Sequence, residues 1–311
     1  MPKILVTPRS FAKYSEEPYV RLEKAGIECI RNPVGGILSK DDMLRYTKGI
    51  DGIIVGIDPL DKDVLSACDI KVISKYGVGT DNIDLAYCKE NNIDVEITKN
   101  ANSEAVADYA FALILSVARK VVEIDRACRA GDWGKTVSAD VFGKKIGIVG
   151  LGAIGRGVAA RAKGFSMTVY GYDVYRDDDY LKSNNIQFLS LDEMLKECDF
   201  ISLHMPLTKE NKYIISASNL KTANNDLIII NTARGGIINE ADLYDALKNK
   251  LILGAGLDVF EHEPPKDSKL LELDNVVVGS HCAASTVGAV NTMSEMAVDN
   301  IIRAFKERGI I

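Results

Sequence analysis

Along the first third of the chain, short apolar runs alternate with segments whose apolar positions recur every three or four residues. Runs at 3–7, 28–31, 52–55, 71–74 and 94–97 have strand length and β-branched content, while 16–25, 40–47, 62–68 and 85–91 carry helical periodicity. This rhythm predicts a parallel sheet covered on both faces. An Ala- and Leu-rich segment then predicts one long helix from 102 to about 130, capped by Asn102 or Ser103 and closed by Gly131, which suits burial between domains as a connector. The rhythm resumes with strands at 200–203, 227–231, 254–258 and 276–279 and helices at 191–197, 216–222 and 240–248, before an amphipathic closing helix at 286–306.

The stretch 145–160 reads as buried strand, glycine turn and helix start. Gly150 permits a tight turn, Gly152 removes a Cβ so that backbone amides can approach a pyrophosphate, and Gly155 lets helix pack on strand. A following strand, 168–172, ends in Asp173, eighteen residues past Gly155. An acid there accepts from ribose hydroxyls and repels a 2'-phosphate, which argues for NAD over NADP. Two other features stand beside that reading: Asp173 can simply cap the turn 174–176, and Arg176 leaves NADP tolerance open.

At 311 residues the chain exceeds one ordinary core, so two domains are expected. Lys and Arg number 38 against 44 Asp and Glu, a net charge of −6 without basic runs, which argues against nucleic acid or an acidic membrane as partner. The first residues lack a signal-peptide core and the longest apolar stretch, 109–118, cannot span a bilayer, so a cytoplasmic location is expected. Six scattered cysteines without a CxxC pair suggest neither zinc nor disulfides.

Only three histidines can carry a proton near neutrality. His281 and His204 each follow a strand, whereas His262 sits in an acidic segment between Glu261 and Glu263. Arg234 follows another strand, in Asn231-Thr-Ala-Arg-Gly-Gly236, where a guanidinium can fork onto a carboxylate and polarise a carbonyl, with the glycines after it leaving room for substrate. The turn 75–82 exposes amides at Gly77 and Val78, and Lys75 there is either a phosphate or carboxylate contact or a solvated rim residue.

Six motifs in order, GLGAIG at 150–155, Asp173, His204-Met-Pro-Leu-Thr, Asn231-Thr-Ala-Arg234-Gly-Gly, the segment 256–265 ending Glu263-Pro-Pro, and Ser280-His281-Cys-Ala-Ala-Ser-Thr, resemble the D-isomer-specific 2-hydroxyacid dehydrogenases over nearly the whole chain, most of all the phosphoglycerate dehydrogenase group. The resemblance implies two doubly wound α/β domains around a cleft. These are a flavodoxin-like substrate domain (1–99 plus 285–311, the last helix packing on it) and a Rossmann cofactor domain (100–284) through which the chain forms a homodimer.

It further implies His281 as general acid/base, Glu263 rather than Glu261 as its carboxylate partner, and Arg234 as the group that holds the substrate carboxylate and polarises its keto oxygen. NAD would lie on Gly150, Gly152, Ala153, Ile154, Gly155, Asp173, His204, Pro206, Ala233 and Asp258, the last at the nicotinamide carboxamide. The substrate would meet Lys75, Gly77 and Val78 as well as Arg234.

The chain departs from the family pattern at Ser280, at Lys99-Asn100 and at Gly56, where some phosphoglycerate dehydrogenases carry an arginine. The C-terminal regulatory extension of larger phosphoglycerate dehydrogenases is also missing, so end-product control through it is not expected. The implied activity is NAD-dependent interconversion of a D-2-hydroxy acid and its 2-keto acid, with 3-phosphoglycerate first and glyoxylate or hydroxypyruvate second. An NAD(H)-sensing, partner-binding protein on the same scaffold is the alternative of another class, and substrate turnover separates the two.

Overall fold

Every apolar run of the first hundred residues becomes a strand of one parallel sheet. The computed structural model describes all 311 residues and divides into two units, Met1–Asn102 with Ser285–Ile311, and Ser103–Ala284. In the first unit the elements are β1 (Lys3–Val6), α1 (Glu17–Lys24), β2 (Glu28–Arg31), α2 (Lys40–Tyr46), β3 (Gly52–Val55), α3 (Lys62–Ser66), β4 (Val72–Lys75), α4 (Leu85–Glu90) and β5 (Asp94–Ile97). Their strands run in the order β2-β1-β3-β4-β5, the flavodoxin-like arrangement. Ile4, Leu5, Ile53, Ile54 and Ile73 on the three inner strands are fully buried, as strands covered on both faces must be. Helix starts are fixed by side chains: Ser39 and Asp42 form a capping box on α2, and Asp61 and Asp84 cap α3 and α4.

The second unit opens with α5 (Ser103–Ala118) and α6 (Val121–Arg129). This corrects the single helix expected from 102 to 130: Lys120 takes a left-handed conformation and separates the two. The change of environment explains the break, since α5 is buried along most of its length and α6 buries no residue at all. Next come β6 (Lys145–Val149), α7 (Ala153–Gly164), β7 (Thr168–Tyr172), α8 (Asp178–Asn184), β8 (Gln187–Phe188), α9 (Leu191–Glu197) and β9 (Phe200–Leu203). The unit ends with α10 (Ala217–Leu220), β10 (Ile228–Asn231), α11 (Glu240–Lys248), β11 (Gly254–Leu257) and β12 (Val276–Val278). Helix α8 and the two-residue β8 have no counterpart in the sequence reading.

All seven strands are parallel, in the order β12-β11-β10-β9-β6-β7-β8. The chain runs outward from β6 in one direction through β7 and β8, then returns to continue from β9 on the other side. In doubly wound sheets ligands collect at such a reversal, outside the carboxyl ends of the strands, and that is where the glycine turn after β6 lies.

The final helix, α12 (Val287–Glu307), rejoins the first unit. It packs on β3, β4 and β5 and beside α1. Gly52 is what admits it closely: a Cβ there would come within 2.9 Å of the Phe305 ring. Ion pairs of Arg308 with Asp94 (2.6 Å) and Arg303 with Glu96 (3.0 Å) tie its end to β5.

Candidate active site

The turn after β6 is built from glycines for three different reasons. Gly150 has φ +97°, and a Cβ on it would strike the His204 carbonyl oxygen at 2.6 Å. At Gly155 a Cβ would lie 1.9 Å from the Gly150 carbonyl oxygen, so helix and turn can pack only without one. Gly152, by contrast, has nothing within 4 Å of its Cβ position. It is the N-cap of α7 yet offers no side chain to the first amides of that helix. Ala153, Ile154 and Gly155 therefore begin a twelve-residue helix whose positive end is uncapped, the local chemistry of a phosphate site.

Asp173, just past β7, accepts from the Leu151 amide (2.6 Å) and the Tyr175 amide (3.0 Å). The turn-capping role is thus realised, and it also locks the acid against the glycine turn. A carboxylate offers about four acceptor sites, so lone pairs remain for a ribose. Arg176 is held by Asp178, Nε to Oδ1 at 2.6 Å, and its guanidinium lies 4.8 Å from the Phe188 ring centre.

His204 and Thr232 directly follow paired strand ends, because Leu203 of β9 is in register with Asn231 of β10. The His204 Nε2 is 2.8 Å from the Ser202 hydroxyl, and its amide donates to the Val149 carbonyl. Burial pushes the imidazole down to about 3, which removes His204 from the proton carriers available near neutrality. Its Nδ1 and the Thr232 hydroxyl are both buried without a hydrogen-bond partner in the protein. Pro206 lies exposed beyond, its carbonyl accepting from the Asn211 side chain at 2.7 Å.

The Asn231 side chain organises the arginine turn, accepting from the Ala233 amide (3.0 Å) and donating to the Arg234 carbonyl (2.9 Å). Arg234 Nη1 donates to the Ala233 carbonyl at 2.6 Å. The glycine after it has a packing reason of its own. A Cβ on Gly235 would sit 2.0 Å from the Phe260 carbonyl oxygen, so this glycine lets the arginine turn lie directly on the segment after β11.

That segment carries Glu263. One carboxylate oxygen accepts from the Phe260 amide (3.1 Å) and the other lies 2.8 Å from His281 Nδ1. Burial pushes this carboxyl up, but the His281 hydrogen bond and charge, the Phe260 amide and the Arg234 charge together outweigh it and hold Glu263 below the usual range. Arg234, Glu263 and His281 therefore share one electrostatic neighbourhood. Glu261 is committed elsewhere, accepting from the Tyr213 hydroxyl (2.6 Å) and the Glu240 amide (3.2 Å), and His262 is exposed.

Asp258, only 1% exposed, spends its carboxylate on the amides of Cys282 (3.0 Å) and Ala283 (2.9 Å), while its carbonyl accepts from the His281 amide (2.8 Å). It clamps the histidine loop, a role the sequence reading did not assign to it. Tyr109 of α5 joins the clamp, its hydroxyl 3.4 Å from Cys282 Sγ. Gly279 makes room for both, since a Cβ there would meet the Asp258 carboxylate at 2.1 Å and the Tyr109 hydroxyl at 2.6 Å. Neither Tyr109 nor Gly279 could be singled out from the chain, because α5 reads as uniformly apolar and a glycine ending a strand reads as a turn.

In the first unit, Lys75 is the last residue of β4, only 4% exposed, with its ammonium donating to the Gly56 carbonyl. The solvated-rim reading is thereby corrected. The Gly77 amide donates to the Thr98 hydroxyl at 2.8 Å, and Val78 beside it is exposed.

Residues 111–283 match the D-isomer specific 2-hydroxyacid dehydrogenase, NAD binding domain. The chain belongs to the D-isomer-specific 2-hydroxyacid dehydrogenase family. It is 40% identical over 277 residues to a glyoxylate reductase of Korarchaeum cryptofilum, covering 86% of this chain and 83% of that one. It is 36% identical over 274 residues to a D-3-phosphoglycerate dehydrogenase of Methanocaldococcus jannaschii, covering 86% of this chain but 52% of that longer protein. Among solved structures, a D-lactate dehydrogenase from Aquifex aeolicus complexed with NAD and lactic acid superposes with a TM-score of 0.85 at 29% identity, over 99% and 96% of the two chains.

This family member is an NAD-dependent oxidoreductase acting on hydroxy or keto acids. Its residues fit the cofactor: the uncapped start of α7, the open space over Gly152, and the partnerless His204 Nδ1 and Thr232 hydroxyl all lie along the carboxyl ends of β6, β9 and β10.

Proposed function

We propose that the protein reduces small, unphosphorylated 2-keto acids of the glyoxylate and hydroxypyruvate type to D-2-hydroxy acids with NADH. The observation that carries the reading is the 2.8 Å contact of His281 Nδ1 with Glu263, a carboxyl that also feels the Arg234 charge. When bound, NADH supplies the hydride; this chain's residues supply the charge and the proton. With Nδ1–H donated to Glu263, the His281 Nε2 is left to hand a proton to the keto oxygen as negative charge develops there, and the carboxylate stabilises the imidazolium that precedes transfer. The Arg234 guanidinium is suited to hold the substrate carboxylate and polarise the carbonyl beside it.

The preference for an unphosphorylated tail rests on the surroundings of Gly56, which stands where an arginine serves some phosphoglycerate dehydrogenases. Lys75 is spent on the Gly56 carbonyl, and a Cβ on Gly56 would come within 3.6 Å of the buried Asp58 carboxylate, a poor setting for a phosphate. 3-Phosphoglycerate, foremost on sequence grounds, thus becomes the second substrate to try. Steady-state assays decide between them: NADH-dependent reduction of glyoxylate and hydroxypyruvate with higher kcat/KM than phosphohydroxypyruvate supports the proposal. Preference for the phosphorylated acid reverses it, and turnover of none, with NADH still bound, favours the sensing alternative.

The homodimer belongs to the same proposal. Helix α6 buries no residue, and Trp133, Val137 and Phe142, which follow it, are 81%, 88% and 72% exposed. So much apolar surface in one segment of a cofactor domain fits a second copy of the chain. Cytoplasmic residence is proposed on the six cysteines, all free thiols. No helix is long and apolar enough to cross a membrane.

A further inference from the structure

Asp173 explains why a 2'-phosphate is repelled, but it leaves unexplained an arginine three residues away. In NADP-binding relatives of the dinucleotide fold, an arginine near the end of the second strand is what accommodates the 2'-phosphate. Arg176 stands in that place, and its charge should draw NADPH in. The structure shows what occupies it instead: the Asp178 carboxylate at 2.6 Å from Nε, with the guanidinium laid over the Phe188 ring. We propose that Asp178 is a specificity-determining residue, holding Arg176 in a closed pair so that its charge is withheld from the 2'-position of the adenosine ribose. This rests on the assignment of Asp173 to that ribose.

The neighbouring arginine is treated the same way. Arg156, in the first turn of α7, donates from Nε to the Leu151 carbonyl (2.9 Å) and from Nη2 to Asp177 (2.7 Å), and stacks 4.0 Å from the Tyr180 ring centre. Two successive acids at the start of α8 thus each neutralise one arginine beside the glycine turn. Arg156 has three restraints and stays put when one is lost. Arg176 has only two, and its pair with Asp178 is exposed (57% and 73%), so a single substitution frees it. An exposed pair of this kind is worth little in stability, which makes Asp178 removable without unfolding the unit.

The test is nucleotide affinity, measured by fluorescence titration of NADH and NADPH without any substrate. Asp178→Asn is expected to tighten NADPH by about two- to fivefold, the range set by breaking one exposed ion pair, and to leave NADH nearly unchanged. Removing an acid also lessens general repulsion of a phosphate, so the double variant Arg176→Gln/Asp178→Asn separates the two effects. If Arg176 is the released group, the gain disappears in the double variant. An unchanged NADPH affinity in Asp178→Asn, or a gain that survives loss of Arg176, overturns the proposal. Should Asp173→Ala leave the NADH to NADPH ratio of the wild type untouched, the ribose assignment itself falls, and this proposal with it.

Discussion

Glu263 Oε2 sits 2.8 Å from His281 Nδ1, while Glu263 Oε1 accepts the Phe260 amide. The carboxylate is thereby fixed by the main chain and in turn fixes the imidazole. Such a contact sets which ring nitrogen carries the proton and lowers the cost of charging the ring during transfer.

Glu263→Gln keeps the size of the side chain but removes its charge, and is expected to lower kcat by roughly 10²- to 10⁴-fold. The same contact gives a pH signature in stability. Glu263 ionises below its ordinary 4.5 in the folded protein, so its pairing stabilises the fold above that value and is lost as pH falls through the lower folded one. The melting temperatures of wild type and Glu263→Gln should therefore differ at pH 6, with the gap closing as pH falls below 4.5. A gap independent of pH would show that the carboxylate charge contributes no stability.

His204 offers a spectroscopic check. Its imidazole is pushed down to about 3 by burial, so its ring proton signals should stay at neutral positions across pH 5 to 8 in an NMR titration. A midpoint near 6.5 would mean that water reaches the ring freely.

Gly235→Ala tests how the arginine turn is seated. The new methyl would overlap the Phe260 carbonyl oxygen, which belongs to backbone and cannot swing aside. Denaturant unfolding should show a loss of about 1–3 kcal/mol or more, with kcat/KM falling because Arg234 is displaced. Near-wild-type values for both would mean that the two segments are not held in contact.

Trp133→Glu tests the dimer. Sedimentation should report a dimer for the wild type and a shift toward monomer for the variant, since a buried interface tryptophan commonly contributes about 2 kcal/mol or more. A monomeric wild type would remove the second copy as the partner of this surface.

Both sheets and the glycine turn were legible in the chain because each depends on local pattern: apolar runs of strand length, and glycines at three positions where a Cβ would strike backbone or block an approach. What the sequence concealed depends on environment. The break at Lys120 has no glycine or proline to mark it; it comes where a buried helix gives way to an exposed one. Lys75 looks like a loop residue because it is charged, yet β4 runs one residue further and buries it. The pairing of Glu263 with His281 came from family resemblance, since proximity across eighteen residues of irregular chain has no periodic signature. Asp258 was assigned to the nicotinamide by resemblance alone; its clamp on the histidine loop emerges only when three backbone amides are seen to converge on it.

The most direct measurement compares His281→Ala with the wild type in two quantities, kcat for glyoxylate reduction and the dissociation constant for NADH. A fall in kcat of roughly 10²- to 10⁴-fold with NADH binding nearly unchanged is the expected result for a lost proton donor. Retention of substantial turnover, or a collapse of NADH binding equal to the loss in rate, would contradict the assignment of His281 as the group that moves the proton.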